Sequence, residues 1–313
     1  MPLYRQLLLF PSLPPVGRPD PDAAAVRCRA GVEYHDLTIR DMLNRNSNRR
    51  LPFTWTINPY RGCEFGCAYC YARYTHGFFD LNNWEDFETK IYVKRGAAES
   101  LKRFLKRVEA KREPIAIGTA TDPYQPAEHK SRVTRSLLEV FRRCSGLVLS
   151  ITTKSPLILR DLDLLTELRK LHDLSVHVTI TTVDNGLARK LEPYAPDPRA
   201  RLRAVSKLAR EGIATSVFCM PVMPGINDSE EVLRPLFRAA REARALDVIP
   251  NTLFLRPAAR ARFFPWLEEE FPELLPRYQA LYGKNDYLPK AEAKRILSVF
   301  EKLHEESRLS KGG

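Results

Sequence analysis

"RGCEFGCAYCYAR", residues 61–73, sets three cysteines at spacing C-x3-C-x2-C inside a run of glycine and aromatic residues. A structural zinc takes four donors, commonly as two pairs separated by a loop. Cys63, Cys67 and Cys70 form one triplet with no second pair, and His76 could supply the imidazole of a three-thiolate, one-imidazole site. The other reading is an iron–sulfur cubane. There, three cysteines hold three irons and the fourth iron stays open to a small chelating ligand. Gly62 and Gly66 let the loop wrap close to a cluster, with backbone N–H groups free to face its sulfides. Tyr69, just before the last cysteine, can pack a flat face on whatever the open iron holds.

Outside this loop the composition is that of an ordinary globular chain: 313 residues, 44% hydrophobic and 28% charged. Such a length can bury a full core as one large or two smaller domains. No apolar run approaches the ~20 residues needed to cross a bilayer. The opening "LYRQLLLFPSLPP" has too short an apolar patch for a signal-peptide core, so a cytoplasmic protein with no membrane partner is expected. Half of the six cysteines crowd into eight residues, which favours metal binding or catalysis over disulfides. Cys144 and Cys219 sit in apolar segments and read as buried thiols. The formal net charge of +12 suits a polyanionic partner, because phosphate neutralisation releases counterions. The same charge is also compatible with an arginine-rich surface, since the basic residues are spread through helices.

Apolar β-rich runs at 53–58, 114–119, 147–152, 174–181, 213–220 and 248–255 predict six strands, with a short extra strand at 89–94. Between them, 97–112, 131–144, 161–172, 199–211 and 229–245 read as helices; "RLRAVSKLAREG" closes on Gly212 as a C-cap. Strands separated by helices imply right-handed βαβ units and a parallel sheet. Six units suit either an open doubly wound sheet or a partial barrel. In both, sites lie at the strand C-termini. Residues 1–25 read as irregular and 305–313 as frayed, and 264–307 as two helices joined by "YGKNDYLPK". The expected division is an N-terminal extension (1–50), a barrel (51–260) and a C-terminal helical segment (261–313).

The pattern C-x3-C-x-aromatic-C after a first strand resembles the radical S-adenosylmethionine (SAM) superfamily. "NPYRGCEFGCAYCYAR" and the stretch 53–260 are similar to its spore photoproduct lyase-like branch. The resemblance implies a partial (β/α)6 TIM-type barrel with a [4Fe–4S] cluster on Cys63, Cys67 and Cys70, and SAM chelated by the open iron. Reduction of the cluster would then cleave SAM to a 5′-deoxyadenosyl radical that abstracts hydrogen from the substrate. An electron donor of the flavodoxin or ferredoxin type follows as a partner. In "ATDPYQPAE" (120–128), Thr121 and Asp122, with Thr119 beside them, fall where the family meets the SAM amino group. Lys154 in "TTKS" is placed for the SAM carboxylate. Glu192 and Arg201 form a polar pair bordering SAM, and Pro221 in "CMPVMPGINDSEE" lies on the adenine side.

Each of these residues also has a plainer role. Asp122 can be a turn former, Lys154 a solvated loop residue, and Glu192–Arg201 a structural ion pair. His76, His129 and His177 read as surface or satisfied core residues. Phe263, Phe264 and Trp266 read as core packing, or else as cover for the barrel mouth. Tyr69 and Tyr71 match two tyrosines that the lyase uses in a radical relay. Thr119, however, stands where the lyase needs a hydrogen-donating cysteine, and a threonine O–H bond is far too strong to replace a thiol. The region after 253 also departs from the lyase. Thymine-dimer repair is therefore not expected. Two substrate classes stay open: nucleic acid or a nucleotide, and a peptide or small metabolite; a third, non-enzymatic reading is a binding protein stabilised by zinc or a cluster.

Overall fold

A computed structural model of the protein describes residues 27–29, 31–48, 51–108 and 113–307. The expectations for 1–25, for the end of the helix at 109–112 and for 308–313 lie outside the described residues. Six strands run parallel in chain order: β4 (Trp55–Ile57), β7 (Ile115–Ile117), β8 (Val148–Thr153), β9 (Asp173–Thr179), β10 (Ala214–Val222) and β11 (Val248–Thr252). Helices at Ala97–Val108, Val133–Phe141, Leu162–Leu171, Pro198–Arg210 and Glu230–Glu242 connect them. The sheet ends at β11 on one side and at β3 (Leu43–Arg45), paired antiparallel to β4, on the other. This is the partial barrel, open between its edges. No helix among the described residues is long and apolar enough to cross a membrane.

The register explains which side chains face the lumen. Ile57, Ile117, Ile151 and Val176 are aligned across four strands and fully buried. The neighbouring row is Thr56, Ala116, Ser150, Ser175 and Ala214, small and mostly polar. Alternation puts the first row against the helices and the second toward the lumen. By the same period of two, Ser150, Thr152 and Lys154 share a face, so Lys154 leaves the end of β8 on the lumen side.

A second sheet was not expected. β1 (Arg27–Arg29), β2 (Val32–Thr38), β6 (Lys90–Arg95) and β5 (Tyr60–Arg61) form it in the order β1-β2-β6-β5, with β2 and β6 parallel. Part of the N-terminal extension is therefore ordered into strands, and only β6 of this sheet matches a strand read from the sequence. The two helices expected within 264–307 are also corrected. A helix already starts at Pro257 and runs to Glu270, a 3-10 turn occupies Pro272–Leu274, and helices follow at Leu275–Tyr282 and Lys290–Ser307. Pro257 at the first turn allows the early start, while Pro272 interrupts the continuation. Phe263 and Trp266 are buried in the common core and Phe264 packs against it, which is the packing role.

Candidate active site

The cysteine loop leaves β5 and lies between the two sheets. Gly62 and Gly66 both have positive φ, 86° and 66°. A Cβ on Gly62 would come within 2.9 Å of the Phe87 carbonyl, and one on Gly66 within 2.8 Å of the Tyr194 ring. Glycine is needed at both places for close approach as well as for backbone conformation. The loop is pinned by Cys63 N–H to Phe87 O (2.9 Å) and Ala68 N–H to Leu191 O (3.0 Å). Its three thiols are unpaired. Burial pushes all three up, Cys67 to about 12. Thiolates here therefore need compensating positive charge, which a bound metal centre supplies. His76 does not join them: its Nε2 lies 2.9 Å from the Lys90 carbonyl, and the residue is only 1% exposed. Among the described residues, no three His, Cys, Asp or Glu side chains converge closely enough to hold a single ion.

Below Cys67 lies a dense polar floor. Glu192 and Arg201 are each 1% exposed and form an ion pair, Nη1 to Oε2, of 2.5 Å. Tyr69 donates its hydroxyl to the other carboxylate oxygen, to which Thr181 also donates at 3.3 Å. Lys154 Nζ stands 3.8 Å from the same oxygen and 5.7 Å from the centre of the Tyr69 ring. Burial alone would push Glu192 up, but Arg201 and Lys154 more than reverse it and hold the carboxyl below its ordinary value. Burial pulls Lys154 down, and the negative groups around it, Glu192 foremost with Cys67 and Asp122, together outweigh burial, so the amine stays protonated. Five side chains from five different segments meet here. Tyr69 presents its hydroxyl to Glu192 as well as a ring face to the lysine.

Asp122 is fully engaged within the protein. Oδ1 accepts from Thr153 Oγ1 (2.7 Å) and Tyr124 N–H (2.9 Å), and Oδ2 accepts from Lys154 N–H (2.7 Å). Its visible work is to fix the turn after β7 and the end of β8, which orients Lys154. Thr121 Oγ1 donates to Gly62 O (2.6 Å), tying the same turn to the cysteine loop. Gln125 and Glu64 are additional members of this seam: Gln125 Nε2 donates to Gly62 O (3.0 Å), and its Oε1 accepts from Glu64 N–H (3.1 Å). Both lie inside the quoted motifs, yet neither was singled out, because their role depends on two loops meeting.

Thr119 and Tyr71 also meet. Tyr71 donates its hydroxyl to the Thr119 carbonyl, and Asn58 Nδ2 donates to Thr119 Oγ1 at 3.2 Å. Pro221 lies on β10, where its carbonyl accepts from Asn227 Nδ2 at 3.2 Å. Cys219 is fully buried beside Thr181 O, whereas Cys144 is only half-buried. His177 stacks on Phe218 with ring centres 4.1 Å apart, filling the lumen below the floor.

Comparison with known proteins bears on this arrangement. The model of the radical SAM superfamily matches residues 57–235. An uncharacterised protein of Mycobacterium tuberculosis (strain H37Rv) is 38% identical over 260 residues, 83% of this chain and 76% of that protein. An uncharacterised protein of Methanocaldococcus jannaschii is 30% identical over 219 residues, 70% and 77% of the two chains. A solved structure of a spore photoproduct lyase mutant with bound AdoMet and dinucleoside spore photoproduct matches with a TM-score of 0.66 at 17% identity. That match covers 87% of this chain and 79% of the other. Streptococcus suis SuiB bound to S-adenosylmethionine matches with a TM-score of 0.52 at 12% identity, over 82% and 45%. At these identities the structural matches speak to the fold.

Proposed function

The chain belongs to the radical SAM superfamily and is an enzyme, and from that premise we propose that Cys63, Cys67 and Cys70 hold a [4Fe–4S] cluster at which SAM binds. The observation that carries the reading is the polar floor beside Cys67, where Lys154, Glu192, Arg201 and Tyr69 converge. Such a cluster, when bound and reduced by a flavodoxin- or ferredoxin-type donor, supplies the electron that cleaves SAM to a 5′-deoxyadenosyl radical able to abstract hydrogen from a substrate. Zinc is the weaker fit, because one ion needs its donors around one point and His76 is committed elsewhere.

The protein's own residues do the positioning. Lys154 offers its ammonium to the SAM carboxylate, while Glu192 holds that ammonium in place and Arg201 holds Glu192. Tyr69 covers the loop above them. Thr119, Thr121 and Asp122 form the wall facing the SAM amino group, with Asp122 acting through Lys154 and Thr153. Pro221 borders the adenine side. Tyr71 stands between this wall and the open side, where substrate would meet the radical. The substrate class we favour is nucleic acid or a nucleotide, which suits the +12 charge. The spore photoproduct lyase structure of the same fold holds a dinucleoside.

The test is anaerobic reconstitution with iron and sulfide, followed by dithionite and SAM. We expect 5′-deoxyadenosine from the wild type and none from a variant with all three cysteines changed to alanine. Equal amounts from the two would overturn the reading, as would stoichiometric zinc without iron after anaerobic purification.

A further inference from the structure

The second sheet carries a lysine that the radical chemistry leaves unused. Lys94 lies on β6 and is 8% exposed. The alternation of the strand puts it on the same face as Lys90 and Tyr92. Lys90 pairs with Asp86 at 2.9 Å, but the Lys94 amine has no hydrogen-bond or ion-pair partner among the described residues. It lines a cavity of about 190 Å³ together with Arg61, Tyr74 and Phe78. The wall continues to Tyr71 and Thr119, so the cavity opens beside the proposed meeting place of radical and substrate. Arg61 adds a second cation: one guanidinium N–H donates to Thr75 O at 2.6 Å, and the group stacks over Phe79 at 4.5 Å. Arg40 and Arg45 stand exposed at the rim. Asp41 is the one carboxylate residue on the wall, and it too is exposed.

Buried cations in proteins are ordinarily paired. Here a buried lysine and a half-buried arginine sit together in a cavity with aromatic walls and no buried carboxylate, the combination that suits a phosphate with an attached ring. The volume is below the ~300–1,000 Å³ of pockets that enclose a whole drug-sized ligand. One extruded unit of a longer chain fits that size better than a paired stretch would.

We propose that this cavity is a substrate subsite that binds a nucleotide phosphate, with Lys94 as its principal ligand and Arg61 beside it. The proposal deepens the functional reading above and rests on it for the statement that the bound group belongs to the substrate. Burial, and after it Arg61, pushes the Lys94 amine down to about 7. An arriving phosphate anion would restore the proton, so binding and protonation are linked.

The experiment follows the amine directly, in the full-length protein. Lysines are methylated reductively with 13C-formaldehyde, and the Lys94 signal is identified by its loss in Lys94→Met. Three probes are added in turn: inorganic phosphate, a 5′-mononucleotide and a single-stranded oligonucleotide. We expect a titration midpoint near neutrality without ligand, raised by about one pH unit or more with either nucleotide probe. Oligonucleotide affinity, read by fluorescence anisotropy, should fall about tenfold in Lys94→Met and recover in Lys94→Arg. A midpoint unmoved by both nucleotide probes, one moved by inorganic phosphate alone, or a Lys94→Met variant with wild-type affinity would each overturn the subsite. None of these readouts needs cluster or SAM. Failure to form 5′-deoxyadenosine therefore counts against the radical reading separately, and the phosphate result stands or falls by itself.

Discussion

Two lysines, Lys154 beside the cysteine loop and Lys94 on the second sheet, face opposite electrostatic conditions. Lys154 leaves the end of β8 and lies 3.8 Å from Glu192, which together with Cys67 and Asp122 keeps its amine charged despite burial. Lys94 has Arg61 for a neighbour and only the exposed Asp41 as an acid on the same cavity wall, so burial wins and the amine falls to about 7. The floor around Lys154 is internally balanced, with a carboxylate shared by two cations and a tyrosine hydroxyl. The cavity around Lys94 is not, and on the proposal above its counter-charge is the substrate phosphate. A balanced network orients a ligand at fixed geometry, whereas an unbalanced one responds to the ligand's charge.

The largest test of this contrast removes the charge that balances the floor. Glu192→Gln leaves Arg201 buried without a carboxylate, and breaking a buried pair from one side costs ~3–5 kcal/mol. Urea unfolding should show a loss of that order, and a loss below ~1 kcal/mol would mean that the floor is not the balanced unit described. Gly118→Ala disturbs the same floor by crowding. Gly118 has φ +89°, and a Cβ there would lie 2.5 Å from the Thr152 carbonyl. The expected cost is ~1–3 kcal/mol, with the end of β8 displaced and SAM binding weakened; unchanged SAM affinity would show that β8 absorbs the crowding.

For the other side the sign reverses. Lys94→Met replaces an unpartnered buried amine by an apolar chain of similar length, so at pH 7 stability should rise by ~1–3 kcal/mol. The pH dependence follows from linkage. The folded amine gives up its proton near pH 7 and the unfolded one near ~10.4. Between those values the unfolded chain binds the extra proton, so wild-type stability rises with pH relative to Lys94→Met. The advantage of the variant should shrink from pH 7 to pH 10; a constant difference would show that Lys94 is already compensated. The smallest effect belongs to Lys154→Met. Arg201 still pairs Glu192 there, so a loss of about 1 kcal/mol is expected, accompanied by weaker SAM binding in an equilibrium titration. A loss as large as that of Glu192→Gln would make Lys154, rather than Arg201, the main partner of the carboxylate.

Much of the site was legible in the primary structure because it is carried by short, local signals. The cysteine spacing, the two glycines and Tyr69 lie within one loop, and the strand–helix alternation that places Lys154 at a strand end is a matter of period. Glu192 and Arg201 were also legible, through resemblance, although their ordinary chemistry is compatible with a surface pair. What stayed hidden depends on chain segments meeting. Gln125 and Glu64 matter because the turn after β7 packs on the cysteine loop. Lys94 sits in "KIYVKR", whose alternation reads as a half-exposed strand with lysines in water. It becomes buried because distant segments, Leu37 to Asn46 on one side and Tyr60 to Phe78 on the other, close around it.

The sequence by itself determined the thiol triplet with its glycine-assisted loop and the six parallel βαβ strands, since spacing and period act between near neighbours. Only the tertiary structure decided which charges are balanced. Burial and pairing are properties of contacts between distant segments, and the same lysine side chain ends as a held cation just after β8 and as an unpaired amine on β6.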